Sequence, residues 1–423
     1  MTERQPVHTV YGGAHLFRSD TPHRLGRVAR AAFDAYAPAP PDLAHAVGLA
    51  EDGVVQAATL HERVRAKLAR EPVEDFRIDF EDGFGVRPSD EEDRCAEDAA
   101  RALAEGLERG TLPPYVGIRI KSLGVETRAR ALRTLDRFVR VLVQETAGAL
   151  PPGFVVTLPK IVDAGQVRAL ADELAALESR TGIAAGALRL ELMVETPESI
   201  LDASGRCPLR SFVDAAGGRC VAAHFGVYDY TASVSITAQH QRMGHPACHH
   251  ARAVMQVALA GTDVWLSDGA TNVLPIAPHR AGPGAGLTAA QLAENRDAVH
   301  RAWKLHYDDV RVSLEHGYYQ GWDLHPAQLP TRFAAVYAFF LEALASASER
   351  LSNFVEKAAQ ATVVGAVFDD AATGQGLLNF FVRGLSCGAI TEEEAAATGL
   401  TPAELRSRSF LRILEGRRGG TEI

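Results

Sequence analysis

Little in this 423-residue chain marks it for a membrane, a disulfide framework or a nucleic acid. Its five cysteines (Cys95, Cys207, Cys220, Cys248 and Cys387) are widely scattered, and no two have metal-ligand spacing. Five thiols cannot all pair within one chain, so reduced cysteines and a cytoplasmic location are expected. The N-terminal Met-Thr-Glu-Arg-Gln-Pro lacks the apolar core of a signal peptide. The most apolar later run, Ala334-Ala-Val-Tyr-Ala-Phe-Phe-Leu, meets Glu342 well short of the about 20 residues a membrane span needs. A net charge of −9 with no basic run excludes a general nucleic-acid binder. Several catalytic signatures are also missing. Gly12-Gly13 does not supply the Gly-x-Gly-x-x-Gly turn of a dinucleotide-binding sheet. His245, His249 and His250 lack the His-Glu-x-x-His pattern, and Ser233 and Ser235 lack a nucleophile-elbow context. There is no internal repeat.

What is present is a rhythm of strand followed by helix. Strands are expected at 7–17, 76–82, 115–120, 154–158, 188–194, 221–227, 264–266 and 318–324. Helices are expected at 24–36, 61–70, from Ser89 as N-cap, and at 126–143, 165–177, 197–203, 246–260, 292–313 and from 333. Residues 37–41, Ala-Pro-Ala-Pro-Pro, read as a break, and 279–287 as a flexible loop. Several strands are nearly continuous apolar runs, as in a parallel sheet covered on both faces. Eight such units favour a closed α/β structure, a (β/α)₈ TIM barrel, over residues 1–350. Thr391-Glu-Glu-Glu394 and Thr401-Pro-Ala-Glu404 are two capping boxes, so 351–423 reads as a C-terminal helical extension.

Active sites of such barrels lie at the C-terminal ends of the strands. The ends here carry Glu81-Asp82-Gly83, Arg119, Leu158-Pro-Lys160, Glu195-Thr-Pro197, Phe225-Gly-Val-Tyr-Asp229, Ser267-Asp-Gly269 and Asp323-Leu-His-Pro-Ala-Gln328. In Asp79-Phe-Glu-Asp82, Asp79 and Glu81 share a strand face. Carboxylates this close call for a positive partner, a divalent metal or an arginine; a solvated acidic turn is the plainer alternative. Glu195 and Asp229 come from consecutive strands and are the best metal candidates, because two carboxylates plus waters and substrate oxygens suit Mg²⁺. The alternative for Glu195 is capping of the helix opened by Pro197. Asp82 is suited to hold metal-bound water. Arg119 lies within an apolar strand and needs an anion, which is Glu81, Asp82 or a substrate oxygen. Lys160 is either a Schiff-base lysine or an ion-pair partner, and the non-covalent role is favoured. His15 is a candidate acid or base, and His224 a packing residue.

In order, Asp79-Phe-Glu-Asp-Gly83, Arg119-Ile-Lys, Leu158-Pro-Lys160, Glu195-Thr-Pro, Phe225-Gly-Val-Tyr-Asp229 and His325-Pro-Ala-Gln328 resemble the motifs of the 2-oxo acid aldolase / citrate lyase β-subunit family, in the phosphoenolpyruvate/pyruvate barrel superfamily. The resemblance spans residues 76–330. It implies an oligomeric barrel with Mg²⁺, or Mn²⁺ in its place, on Glu195 and Asp229. It also implies a catalytic Arg119 at the substrate's enolate oxygen, aided by Glu81 and Asp82, with Lys160 and His325 as substrate contacts. The implied activity is a carbon–carbon lyase or aldolase acting on a 2-oxo acid or acyl thioester. Phosphoryl transfer from phosphoenolpyruvate, or a non-catalytic barrel that binds metal and oxo acid, are the alternatives. The chain departs from the family in extra residues at 37–72, 233–248 and 278–290, in Arg-Ile-Lys where Arg-Ile-Asn or Arg-Val-Asn is usual, and in Tyr11-Gly-Gly-Ala-His15 where Phe-Val-Pro-Gly is usual.

Overall fold

A computed structural model describes residues 4–50, 53–282, 284, 286–356, 362–364, 367–369 and 371–419. Eight parallel strands close into a barrel: β1 (His8–Gly13), β2 (Asp75–Asp79), β3 (Tyr115–Arg119), β4 (Val155–Leu158), β5 (Arg189–Val194), β6 (Cys220–Phe225), β7 (Trp265–Ala270) and β8 (Gln320–Asp323). β8 pairs back to β1. The expected (β/α)₈ TIM barrel is therefore present. Among the described residues, no helix is long and apolar enough to cross a membrane. All five cysteines are free.

Period-two alternation assigns the two faces of the sheet. Val10, Phe76, Ile78, Ile118, Val156, Leu158, Leu190, Leu192 and Phe225 are buried in the core. That core also takes in Leu103, Leu135, Phe138 and Leu174 from the surrounding helices. The lumen is polar, which the apolar look of the strands did not suggest. Arg77 pairs with Glu191 through two bonds, Nε–Oε1 at 2.6 Å and Nη2–Oε2 at 2.8 Å, and also binds Asp75. Thr157 donates to Glu191, and the His224 ring bonds Glu191 at 3.1 Å while its Nδ1 accepts from the Trp322 indole at 3.0 Å. All of these groups except the half-buried Trp322 are buried, and pairing is what makes such burial tolerable.

Several element ends differ from expectation for local reasons. β1 stops at Gly13, and Ala14–Leu16 form a short 3₁₀ turn. β2 stops at Asp79 because that carboxylate accepts from the backbone N–H groups of Glu81 (3.0 Å) and Gly83 (2.7 Å), folding the chain over itself. Ser89 is not the N-cap of its helix; Pro88 is, and Glu92 N–H reaches the Pro88 carbonyl at 3.0 Å. The stretch read as a break opens a helix, Pro40–Val47. Proline suits a first helical turn, where its missing N–H has no partner to lose. A further helix, Leu209–Ala215, was not expected. Of the expected loop 279–287, Pro283 and Ala285 lie outside the described residues, and the rest forms no helix or strand.

Both C-terminal capping boxes form, at Thr391/Glu394 and Thr401/Glu404. The tail also holds a two-stranded antiparallel pair, Thr362–Val364 with Val367–Asp369. Helix Leu329–Glu356 continues across residue 350 in one piece. The tail is tied to the barrel's outer helices by the Arg63–Glu394 ion pair at 2.5 Å.

His8 begins β1 in full burial and accepts the Glu74 backbone N–H on Nε2 at 3.1 Å. A second proton would have to sit on that accepting nitrogen. Burial pushes its pKa down to about 4, only partly offset by Asp323. A histidine held neutral stabilises the fold fully above its unfolded pKa near 6.5 and loses that contribution as pH falls toward 4. The loss is on the order of 3 kcal/mol. Urea unfolding of His8→Gln should therefore show a shallower fall in stability between pH 6.5 and 4 than the native chain. Parallel pH profiles would contradict this account.

Candidate active site

A cavity of about 380 Å³ opens at the C-terminal ends of the strands. Its walls include Tyr11, Asp79, Asp82, Arg119, Glu195, Tyr228, Asp229 and Trp322. The sheet register sets Gly13, Asp79 and Arg119 side by side on β1, β2 and β3. Arg119 then meets Asp79 end-on, with Nε–Oδ1 at 2.7 Å and Nη2–Oδ2 at 2.5 Å. With the two backbone donors from the turn, the Asp79 carboxylate has four hydrogen bonds. A side chain at Gly83 would place its Cβ 2.6 Å from Asp79 Oδ2, so the turn requires glycine.

This corrects the expectation for Arg119. Its principal partner is Asp79, whereas Glu81 Oε2 lies 3.2 Å and Asp82 Oδ2 3.7 Å from Nη1. The guanidinium also lies 4.9 Å from the centre of the Tyr11 ring. These partners raise the Arg119 pKa well above its ordinary value despite the opposing effect of burial.

Glu195 follows β5 directly and is 1% exposed. Its Oε1 accepts the Lys160 backbone N–H at 2.8 Å. A Cβ at residue 226 would fall 2.5 Å from Glu195 Oε2, so Gly226 makes room for this carboxylate. The capping alternative for Glu195 is overturned: the helix Pro197–Ile200 is capped by Thr196, whose side chain accepts from Ser199 N–H. Asp229 sits in the first turn of the helix Val227–Ser233, where the dipole favours an acid. Burial first, and then the charge of Asp229, push Glu195 up to about 8.

Lys160 adopts a left-handed backbone (φ 52°), uncommon for a side chain of this size. Its ammonium bonds Glu81 and lies 3.1 Å from Asp82 and 3.7 Å from Asp229. Burial lifts the Glu81 carboxyl to about 7, with Asp82 adding and Arg119 opposing. The strand ends thus bring Glu81, Asp82, Arg119, Lys160, Glu195 and Asp229 together.

Other strand-end candidates turn elsewhere. Asp268 binds Arg252 and Ser313 on the surrounding helices, each at 2.6 Å. Asp323 binds His306 and Arg332 there, at 2.9 and 2.8 Å. Gln328 holds its own turn by accepting from Leu324 N–H. His325 caps the same turn through Nδ1, at 3.1 Å from Ala327 N, and follows Leu324 on the cavity rim. His15 packs beside Phe84. Lys121 of Arg-Ile-Lys binds the Phe80 carbonyl and Glu92. Tyr11 and Trp322 were missed as cavity walls, although strand alternation from Gly13 and from Gln320 would have placed both in the lumen. Among the described residues, the buried Tyr11 hydroxyl has no hydrogen-bond partner.

No group of three or more His, Cys, Asp or Glu among the described residues is arranged to hold a metal ion. The donor set is two carboxylates, Glu195 and Asp229. Both are hard oxygen donors on the cavity wall, and Gly226 keeps the space beside Glu195 Oε2 clear of a side chain. That fits a hard divalent ion that keeps waters and gains substrate oxygens, as Mg²⁺ does.

A family model described as "Domain of unknown function (DUF6986)" matches residues 1–413. No curated protein matches the sequence. Among solved structures, a citrate lyase from Burkholderia xenovorans LB400 is 18% identical, with a TM-score of 0.58 over 94% of this chain and 97% of that one. The protein CitE from Mycobacterium tuberculosis, in complex with magnesium, acetoacetate and coenzyme A, is 16% identical, with a TM-score of 0.50 over 91% and 98%. At these identities the likeness is one of fold, and it agrees with the resemblance drawn from the strand-end motifs.

Asp79→Asn tests the clamp. It leaves Arg119 buried without its main counter-charge, so a loss of about 3–5 kcal/mol is expected in urea unfolding. A loss under about 1 kcal/mol would show that Asp79 does not anchor Arg119.

Proposed function

We propose that this chain, which belongs to the DUF6986 family, is a divalent-cation-dependent carbon–carbon lyase or aldolase. Its substrate would be a small 2-oxo acid or acyl thioester, broken or joined next to the carbonyl through an enolate. One observation carries the reading: Arg119 is locked by Asp79 in the wall of a cavity that also presents Glu195 and Asp229.

Enolate formation moves negative charge onto one oxygen. A cation fixed in advance stabilises that charge without reorganising during the reaction, an effect commonly worth about 3–4 kcal/mol per donor. Arg119 is such a cation, because two bonds to Asp79 set the plane of its guanidinium. Glu195 and Asp229 would hold Mg²⁺, or Mn²⁺ in its place, which when bound supplies Lewis acidity. Asp82 lines the cavity and is suited to orient water there. Glu81 fixes the Lys160 ammonium, which offers charge to a substrate carboxylate beside Asp229. A contact of His325, next to the rim residue Leu324, with the far end of a substrate is part of the proposal. The magnesium, acetoacetate and coenzyme A bound by the Mycobacterium tuberculosis protein support this class of ligand.

Residues 351–423 are proposed as an extension outside this site; among its described residues, Glu394 pairs with Arg63 and the Cys387 carbonyl accepts from Tyr337, both on the barrel's outer helices. A cytoplasmic homo-oligomer remains the proposed setting.

With Mg²⁺ present, the protein is expected to exchange the methyl protons of pyruvate for deuterium, read by proton NMR, or to cleave a hydroxy-acid adduct. Glu195→Gln should reduce the rate by about a hundredfold or more. Inertness toward pyruvate, oxaloacetate and malyl and citryl thioesters would count against the proposal. Phosphate release from phosphoenolpyruvate would point to the phosphoryl-transfer alternative.

A further inference from the structure

The cavity at the strand ends is divided by charge, and the division follows strand order. From β2 round to β5 its wall is ionic: Asp79, Asp82 and Arg119, then Glu195, with the Lys160 ammonium beside Asp82. After β6 the wall changes character within one helical turn, from Asp229 to its neighbours Val227 and Tyr228. The remaining arc is Ala270 on β7, Trp322 on β8 with Leu324 just beyond it, and Tyr11 on β1. No charged side chain is among the described lining residues of that arc.

The arc is apolar because its polar groups are engaged elsewhere. The acids of β7 and β8, Asp268 and Asp323, face the helices, where Arg252 and Arg332 neutralise them. The Tyr228 hydroxyl donates to the Ala270 carbonyl at 2.6 Å. The Tyr11 ring lies against the Trp322 indole, with centroids 4.6 Å apart, and its hydroxyl is buried. His325, next to Leu324, caps its own turn through Nδ1, and burial lowers its pKa, so it brings no positive charge to the arc at neutral pH.

Trp322 is also fixed in place. Its indole N–H donates to His224 Nδ1 at 3.0 Å, the His224 ring meets Glu191 at 3.1 Å, and Arg77 holds Glu191. Swinging the indole away would leave the buried His224 nitrogen without its donor. The apolar wall is therefore a rigid one.

Walls of this kind sort substrates by the group farthest from the reacting carbonyl. A carboxylate there would lose its water against two aromatic rings and a leucine, with no cation to take the place of that water. An alkyl or aryl group of the same shape would gain by leaving water. We infer that the substrate is a 2-oxo monocarboxylate whose tail beyond the keto carbon is apolar, with Trp322 and Leu324 as the residues that select the tail. This rests on the proposed reading of the site as one for a 2-oxo acid, whose acid end meets the ionic wall. The volume of about 380 Å³ lies at the low end of the roughly 300–1,000 Å³ of small-molecule pockets, which suits a branched chain or a single ring.

The test is isothermal titration calorimetry of the full-length protein with Mg²⁺ and three ligands: pyruvate, 5-methyl-2-oxohexanoate and 2-oxoglutarate. The last two match in length and branching, and differ only in ending on an isopropyl group or a carboxylate. The isopropyl compound is expected to bind about tenfold or more tighter than 2-oxoglutarate. Leu324→Arg, at an exposed rim position, places a cation on the arc and should cut that ratio about tenfold. Trp322→Ala should weaken the isopropyl compound more than pyruvate, and Leu324→Arg serves if Trp322→Ala does not fold. Equal or tighter binding of 2-oxoglutarate by the native chain overturns the inference and leaves the oxo-acid site standing, as does an unchanged ratio in Leu324→Arg. Failure of the native chain to bind any of the three overturns the inference together with the reading it rests on.

Discussion

The candidate site depends on one ion pair, Asp79 with Arg119. The pair joins neighbouring strands in register and also ends β2, because the same carboxylate takes two backbone N–H groups of the turn. That turn brings Asp82 to the cavity wall, and both Glu81 and Asp82 meet the Lys160 ammonium. The Lys160 backbone in turn holds Glu195. From Asp79, then, a continuous series of bonds through Glu81 and Lys160 reaches Glu195. Each buried charge is placed by another, so removing one member should disturb several.

The lumen below continues in the same manner. Arg77, Glu191, Asp75 and His224 fill space that barrels commonly fill with branched aliphatic side chains. Such a column brings no obvious gain in stability over an apolar filling. What it provides is fixed geometry, since the His224 ring bridges Glu191 and the Trp322 indole, and Trp322 lines the cavity above.

The sequence made the architecture legible because helix and strand periods alternate clearly and because strand ends are where barrel chemistry gathers. Arg119, Glu195 and Asp229 were placed on one cavity by that reasoning. The partner of Arg119 was not, because the choice among Asp79, Glu81 and Asp82 turns on the β2–β3 register, which no local pattern encodes. Strand-end position alone also misled at Asp268 and Asp323. Both lie on the outward parity of their strands and bind helices. Counting in twos along β5, from Glu191 to Glu195, would have separated inward acids from outward ones. Ser89 shows a smaller limit of the same kind: a good capping residue stands there, but Pro88 before it already has the extended backbone that the cap position needs.

A structure of the protein with Mg²⁺ and oxalate, a planar analogue of a pyruvate enolate, tests the central claim most directly. The account predicts one ion shared by Glu195 and Asp229, with an oxalate oxygen against the Arg119 guanidinium and the Asp79 bonds intact. An ion bound away from those two carboxylates, or oxalate bound without contact to Arg119, would contradict it.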